Sequence, residues 1–428
     1  MNVLYAMVYA PEKGGSGAPI YTYHLLREMV QRGHKVGVIF SIHRSYKNPD
    51  RTFYQSIPLY FEKPAIFDNQ PKVVNSIAFK DMSPEQAEKN IQRFYKGLKE
   101  AVLKNRYELI HVQHGMYIGY ATSLIKKELG TPYVITLHTM ELNFLSEFPD
   151  PILAMVAVTK ADKIIALTQA QKQRFLYIYN KENIIQLAMK QSGKTRQEIE
   201  NLYSKFTEDK EINPENISVC PLGIDTELFD VKKDFSIPLD IQTLKIPTDA
   251  SIVMYAGRLI EMKGISSLLR AELIYNRSKN IHTIILGGGK LEKFIRGICR
   301  RRSHVHYLGF KEQQDMPLYY NFTGSRNGVF CVPSSSEGMS LVNLEAMACG
   351  IRVVACCKED MGNLDFMQSP NAVFAEFGNE SDIADKITKM LHTMAPSRKE
   401  IRAKVEKYNP TNMFNYVYNI YSNIKSTL

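Results

Sequence analysis

Short apolar runs alternate with stretches of helical periodicity along most of the chain. An apolar run at residues 3–9 precedes a glycine-containing loop, a helix-period stretch at about 19–32, the step Gly33-His34-Lys35 and a second run at 36–40. Further runs at 109–113, 133–138, 163–167 and 217–221 continue the pattern. After residue 248 it restarts, with strands predicted at 252–256, 283–286, 305–308 and 329–332 and a helix at about 266–276. Continuous apolar runs of strand length between amphipathic helices predict parallel sheets with crossover helices. The expected architecture is α/β, with two doubly wound, Rossmann-like domains facing a common cleft, since such sheets bind ligands at the carboxyl ends of their strands. The predicted boundaries are 1–230, a proline-bearing linker at 231–248, 249–410, and a final helix at 411–428 that completes the first domain. Polar, helix-favouring sequence at about 184–215 predicts a helical insertion in the first domain.

One segment is richer in chemistry than the rest. Residues 336–350 follow an apolar run, end at Gly350 and precede another apolar run at 351–356, the signature of strand, loop, helix, glycine cap and strand. Glu337 and Glu345 frame the loop and helix with seven residues between them. They are roughly 12 Å apart along the axis if the intervening turn is helical. A helix N-terminus lies between them, where unpaired N–H groups and the helix dipole favour an anion. A ligand with hydroxyls at both ends and phosphates between fits that layout, as a nucleotide-diphospho-sugar does.

Composition narrows the field. With 428 residues, 44% of them hydrophobic, the chain is long enough for two globular domains. No run of about 18 apolar residues is present, so no membrane span is predicted, and the apolar N-terminus lacks the basic leader of a signal peptide. Six cysteines without Cys-x-x-Cys spacing fit a reduced, cytosolic protein. The net charge of +10 suits a polyanionic ligand or an anionic surface, with basic residues gathered at 27–47 and 296–302. These clusters are ordinary solvated faces or, at the inner side of a membrane, a peripheral contact. Aromatic residues do not interleave with them as in nucleic-acid binders, so no nucleic-acid partner is expected.

Gly257-Arg258 and Lys263-Gly264 follow the strand ending at Ala256. A planar guanidinium and an ammonium five residues apart can converge on one diphosphate. His138 ends the apolar run 133–138, at the carboxyl end of a predicted parallel strand, where both a structural and a functional histidine are found. Gly14, Gly15 and Gly17 allow a close backbone approach to a phosphate or sugar, although no third glycine completes a dinucleotide fingerprint. Gly287-Gly288-Gly289 reads as a tight turn. His111 and His114 share no face and have no evident third ligand, so no metal site is expected. Nor does any pair of aspartates lie two positions apart. Without an Asp-x-Asp element to hold a divalent ion, a leaving diphosphate must be met by protein cations and a helix N-terminus.

On these motifs the chain resembles the GT4 family of retaining glycosyltransferases, which have the GT-B fold. The Glu-x7-Glu signature is present as Glu337 to Glu345, the Gly-Arg-x4-Lys-Gly loop as Gly257 to Gly264, and Pro-x-Gly-Ile-Asp as Pro221 to Asp225. The N-terminal glycine loop and the Gly33-His34-Lys35-Val36 helix exit also match. The resemblance implies that Arg258 and Lys263 grip the donor diphosphate and that Glu337 bonds the donor sugar hydroxyls. It further implies that the backbone at Gly338, Met339 and Ser340 meets sugar and phosphate, that Glu345 holds the ribose, and that His138 and the Gly14-Gly15 backbone lie beside the donor. The donor implied is a nucleotide-sugar, with UDP as the nucleotide and a hexose or N-acetylhexosamine as the sugar. No cofactor or metal is implied. The acceptor stays open between a small molecule, a glycan and a lipid-linked hydroxyl.

Two departures affect the sugar rather than the fold. Gly350-Ile351-Arg352 replaces the family's Gly-x-Pro, and its Gly-Gly-x-x-Glu loop reads Met361-Gly362-Asn363-Leu364-Asp365, with Asp365 in place of the glutamate. Two other readings keep the same fold: a nucleotide-sugar epimerase, which needs no acceptor, and a non-catalytic sugar-nucleotide-binding protein.

Overall fold

The structure, a computed structural model, describes residues 1–7, 17–43, 72–76, 84–113, 117–138, 145, 150–276, 280–337, 339–356, 365–367 and 369–427. The chain divides into two compact units, Met1–Pro221 with Met413–Leu428, and Leu222–Asn412.

The first unit is built on strands β1 (Asn2–Met7), β2 (Lys35–His43), β3 (Lys72–Ser76), β4 (Leu109–Gln113), β5 (Tyr133–Thr136), β6 (Lys163–Ala166) and β7 (Ile217–Val219). Their order is β3-β2-β1-β4-β5-β6-β7, and every pairing is parallel. The order reverses between β1 and β4, which makes their carboxyl ends the ligand-binding edge of such a sheet. Helices Pro84–Asn105, Tyr117–Leu129 and Pro151–Thr159 cover the sheet, with Ile91, Phe94, Leu98, Ile125 and Met155 in its core. The predicted helical insertion is a pair of helices. Lys181–Ser192 ends on Gly193 in the left-handed region, and Arg196–Thr207 opens with a Thr195/Glu198 capping box. The last helix, Pro410–Thr427, buries Met413, Phe414, Val417, Tyr421 and Ile424, a stripe at helical spacing. From Met413 onward it belongs to this unit.

The second unit carries β8 (Ser251–Ala256), β9 (Ile281–Leu286), β10 (Val305–Tyr307), β11 (Val329–Val332), β12 (Arg352–Ala355) and β13 (Ala372–Phe374), in the order β10-β9-β8-β11-β12-β13. All of these pairs are also parallel. Here the order reverses between β8 and β11, the two strands that lead into the cation-bearing loop and the carboxylate-bearing segment.

The predicted linker is a correction. The units divide at Pro221/Leu222 rather than near 230, and residues 231–248 pack on the second unit. Lys232 N donates to Asn321 Oδ1 at 2.8 Å, and Asp240 accepts from Lys311 Nζ at 2.7 Å and Tyr319 OH at 2.9 Å. Proline content at Pro238 and Pro247 marks an irregular path, and side-chain hydrogen bonds replace the ladder such a path lacks.

Candidate active site in the second unit

The loop after β8 makes one 3-10 turn, Glu261–Lys263, and enters helix Ile265–Tyr275 through Gly264. Gly264 has φ +71°, and a Cβ there would overlap the Pro333 carbonyl oxygen at the end of β11. Ser335 N donates to Met262 O at 2.9 Å and ties the two loops together. Gly287-Gly288-Gly289 does more than turn the chain. Leu259 N donates to Gly288 O at 2.9 Å, and a Cβ on Gly287 would strike Gly257 O. The glycine run thus makes room for the loop that carries Arg258. Gly264→Ala is expected to destabilise the protein by ~2 kcal/mol, from left-handed strain plus backbone overlap. Thermal unfolding checks this, and an unchanged midpoint would show that the two loops do not depend on this contact.

Lys263 Nζ donates to Glu337 Oε1 at 2.6 Å, with the two side chains 17% and 13% exposed. The same carboxylate oxygen accepts from Ser334 Oγ at 2.7 Å. A half-buried ion pair at the sheet's reversal point therefore presents both charges in fixed positions, as a ligand-positioning pair requires. Arg258 is exposed, and its side chain makes no ion pair among the described residues. Only its carbonyl is held, by Tyr255 OH at 2.9 Å.

The carboxylate-bearing helix is Leu341–Ala348, shorter at its start than a helix reaching back to Glu337. Residues 336, 337 and 340 are outside it, so the helical spacing between the two carboxylates does not apply. Glu345 sits roughly 6 Å along the axis from Leu341. Ser340 caps the helix without a side-chain hydrogen bond and the first turn has no acidic residue, which leaves an electropositive terminus. Met339 is buried, and its Sδ accepts from Leu222 N at 3.1 Å, so its side chain serves packing and only its backbone is suited to a ligand. Gly338 is outside the described residues.

Glu345 is buried. Tyr320 OH donates to Oε2 at 3.2 Å and Gln313 Nε2 approaches Oε1 at 3.5 Å. Burial pushes its carboxyl up to about 7, and these two weak donors offset little of that. Tyr320 is locked in turn by edge contacts with Phe229 and Phe330. Sequence reasoning missed Gln313 and Tyr320, which nothing in their local pattern distinguishes from helix packing. Arg352, the departure from Gly-x-Pro, opens β12 at the end opposite the site and bonds Thr393 Oγ1 at 3.2 Å, a structural role. Asp365 begins a 3-10 turn, and the rest of the 361–364 loop is outside the described residues.

The first unit holds the other predicted groups. His138 follows β5, is buried, and its Nε2 lies 2.9 Å from Gln113 Oε1. Gly14, Gly15 and His114 are outside the described residues. His111 is buried on β4 among side chains of its own unit. Of the basic clusters, Arg32 is paired with Glu28 at 2.5 Å and lies over Phe414, Arg296 is paired with Glu292 at 2.9 Å, and Arg302 with Glu272 at 2.8 Å. Part of each cluster is thus spent inside the fold. Arg44 and Lys47 are outside the described residues. No described helix is long and apolar enough to cross a membrane.

Comparison with known proteins agrees with this arrangement. The model of Glycosyltransferase Family 4 matches residues 15–184, and that of Glycosyl transferases group 1 matches residues 236–409. An uncharacterized glycosyltransferase of Methanocaldococcus jannaschii is 23% identical over 356 residues, 81% of this chain and 77% of the relative. Among solved structures, sucrose-phosphate synthase from Thermosynechococcus elongatus aligns with a TM-score of 0.69 at 17% identity, over 100% of both chains. Anabaena HepE in complex with UDP-glucose aligns with a TM-score of 0.63 at 18% identity, again over 100% of both. The fold is GT-B. The chain is a glycosyltransferase of the GT4 type, and therefore an enzyme.

Proposed function

We propose that the protein moves a hexose or N-acetylhexosamine from a UDP-linked donor to an acceptor hydroxyl, with retention at the anomeric carbon and without a metal ion. The observation that carries this reading is the Lys263–Glu337 pair beside the open start of helix Leu341–Ala348, with Glu345 on the same helix. A cation and a helix N-terminus suit a diphosphate, Glu337 suits sugar hydroxyls, and Glu345 suits a ribose diol. HepE, of the same fold, binds UDP-glucose.

In this reading the bond from the anomeric carbon to the β-phosphate oxygen breaks as the acceptor oxygen bonds to the same face. The acceptor proton passes to the departing phosphate. Charge grows on that phosphate, and Arg258, Lys263 and the helix terminus stabilise it more in the transition state than in the bound donor. The groups involved are those on the two loops after β8 and β11.

A thermal-shift screen of UDP- and GDP-linked sugars, followed by a turnover assay with and without EDTA, tests the reading. The expected result is stabilisation by a UDP-sugar and turnover indifferent to EDTA, with NMR of the product showing the donor's anomeric configuration kept. Stabilisation by a GDP-sugar alone, an inverted product or loss of turnover in EDTA would each overturn its corresponding part. An epimerised sugar-nucleotide formed without acceptor would replace transfer with epimerisation.

A further inference from the structure

β4 lies at the centre of the first sheet, yet its buried side chains include His111 and Gln113, both fully shielded from solvent. Polar groups there are costly unless bonded. The structure bonds them in a chain. Tyr5 OH lies 3.1 Å from Tyr421 OH on the C-terminal helix, and Tyr421 OH is bonded to His111 Nδ1. His111 Nε2 lies 2.7 Å from Thr136 Oγ1 and 3.3 Å from Gln113 Nε2, and Gln113 Oε1 lies 2.9 Å from His138 Nε2.

The hydrogen-bond pattern assigns the protons. Gln113 Nε2 is a donor only, so the His111 Nε2 it faces must accept, and Thr136 Oγ1 can donate to the same lone pair. The His111 proton is then on Nδ1, donated to Tyr421, whose own hydroxyl turns to Tyr5. Burial holds His111 down to about 3, so the ring stays neutral and keeps this single arrangement. In the same amide orientation Gln113 offers its carbonyl oxygen to His138, which must donate from Nε2. In the neutral His138 ring Nδ1 then carries the lone pair.

We infer that Gln113 is the positioning residue of His138, fixing its ring plane and its Nε2–H tautomer, and that His111 and Tyr421 hold Gln113 in the orientation this requires. The effect on turnover rests on the place beside the donor that the family resemblance implies for His138; the tautomer does not. Partners that orient a functional imidazole typically matter by 10–100-fold when removed.

The experiment uses the full chain labelled with 15N-histidine. Long-range 1H–15N spectra are expected to show His138 as the Nε2–H tautomer and His111 as the Nδ1–H tautomer. In Gln113→Leu the His138 signals should move to a tautomer average, and kcat with the best UDP-sugar should fall ~10-fold while its KM changes less than ~3-fold. Gln113→Glu keeps an acceptor oxygen for His138 but offers no donor to His111, so the His138 Nε2–H signal should return, with kcat within ~3-fold of wild type, while the His111 tautomer is no longer fixed. Tyr421→Phe removes one hydroxyl and is the variant to read if the leucine protein does not fold. It should lose the fixed His111 tautomer and lower kcat ~3-fold. The inference is overturned if Gln113→Leu keeps the wild-type His138 pattern, if the leucine and glutamate variants are equally altered in that pattern, or if Tyr421→Phe leaves His111 unchanged. His138→Ala separates the two claims, because unchanged turnover there removes the donor role of His138 while the spectra still decide the positioning.

Discussion

Lys263→Ala is expected to lower kcat/KM for sugar transfer by ~10²–10³-fold, the range found when one group that meets developing charge is removed. The ammonium has three N–H donors, and the bond to Glu337 at 2.6 Å uses one. Two stay available to a diphosphate without breaking the pair, so the resting ion pair is compatible with donor binding. Removal acts twice. The leaving phosphate loses a counter-charge, and Glu337 loses its ion-pair partner while the bond from Ser334 Oγ at 2.7 Å remains. Glu337→Gln separates these effects, since it keeps Lys263 for the phosphates while weakening the contact to sugar hydroxyls. UDP affinity should therefore fall in Lys263→Ala and hold in Glu337→Gln, whereas the KM for the UDP-sugar should rise ~10-fold in Glu337→Gln. Calorimetric titration of UDP against both variants, with initial rates, makes the comparison. Wild-type transfer and wild-type UDP affinity in Lys263→Ala would end the assignment of this loop to the donor phosphates.

Much of the fold and part of the candidate site are legible in the sequence. Runs such as 109–113 and 329–332 match β4 and β11 because strands buried on both faces must be apolar, and their alternation with helices predicts parallel sheets. Strand β3 and helices Pro84–Asn105 and Pro151–Thr159 were not singled out. The first of these helices is amphipathic with a mainly polar face, and the second is apolar on all sides, which gives it no helical period to detect. The pairing of Lys263 with Glu337 depends on β8 and β11 being neighbours across 74 residues of sequence, a fact of topology rather than of local pattern. Gln113 did leave a trace. A glutamine and a histidine in a central strand conflict with binary patterning, and such conflicts mark places where a buried polar network must form. What local sequence could not indicate was the far partner, Tyr421, 310 residues from His111.

Glu345 is expected to make stability depend on pH and, in its proposed ribose role, nucleotide affinity as well, in opposite directions. Burial raises its carboxyl from 4.5 to about 7 in the folded protein. Between those values the folded state binds more protons than the unfolded state, so stability is greatest at the acidic end and falls as pH rises toward 7. At ~1.4 kcal/mol per pH unit this window amounts to ~3 kcal/mol. Glu345→Gln, with no proton to release, should abolish that slope and be more stable than wild type at pH 8, measured by denaturant unfolding from pH 5 to 8. Ribose hydroxyls donate to a carboxylate and favour its ionised form, so a bound nucleotide should lower the same pKa. UDP affinity should then rise from pH 6 to pH 8, with protons released on binding. Titration calorimetry in buffers of different ionisation enthalpy reads that release directly. Glu345→Gln should bind UDP ~10–100-fold more weakly at pH 8, the loss expected for hydrogen bonds to a charged group, and without the pH dependence. A wild-type UDP affinity that is flat across this range would remove Glu345 from the ribose site, while a flat stability profile would show that its carboxylate is solvated in a way its burial among Tyr320, Gln313 and the β11 layer does not allow.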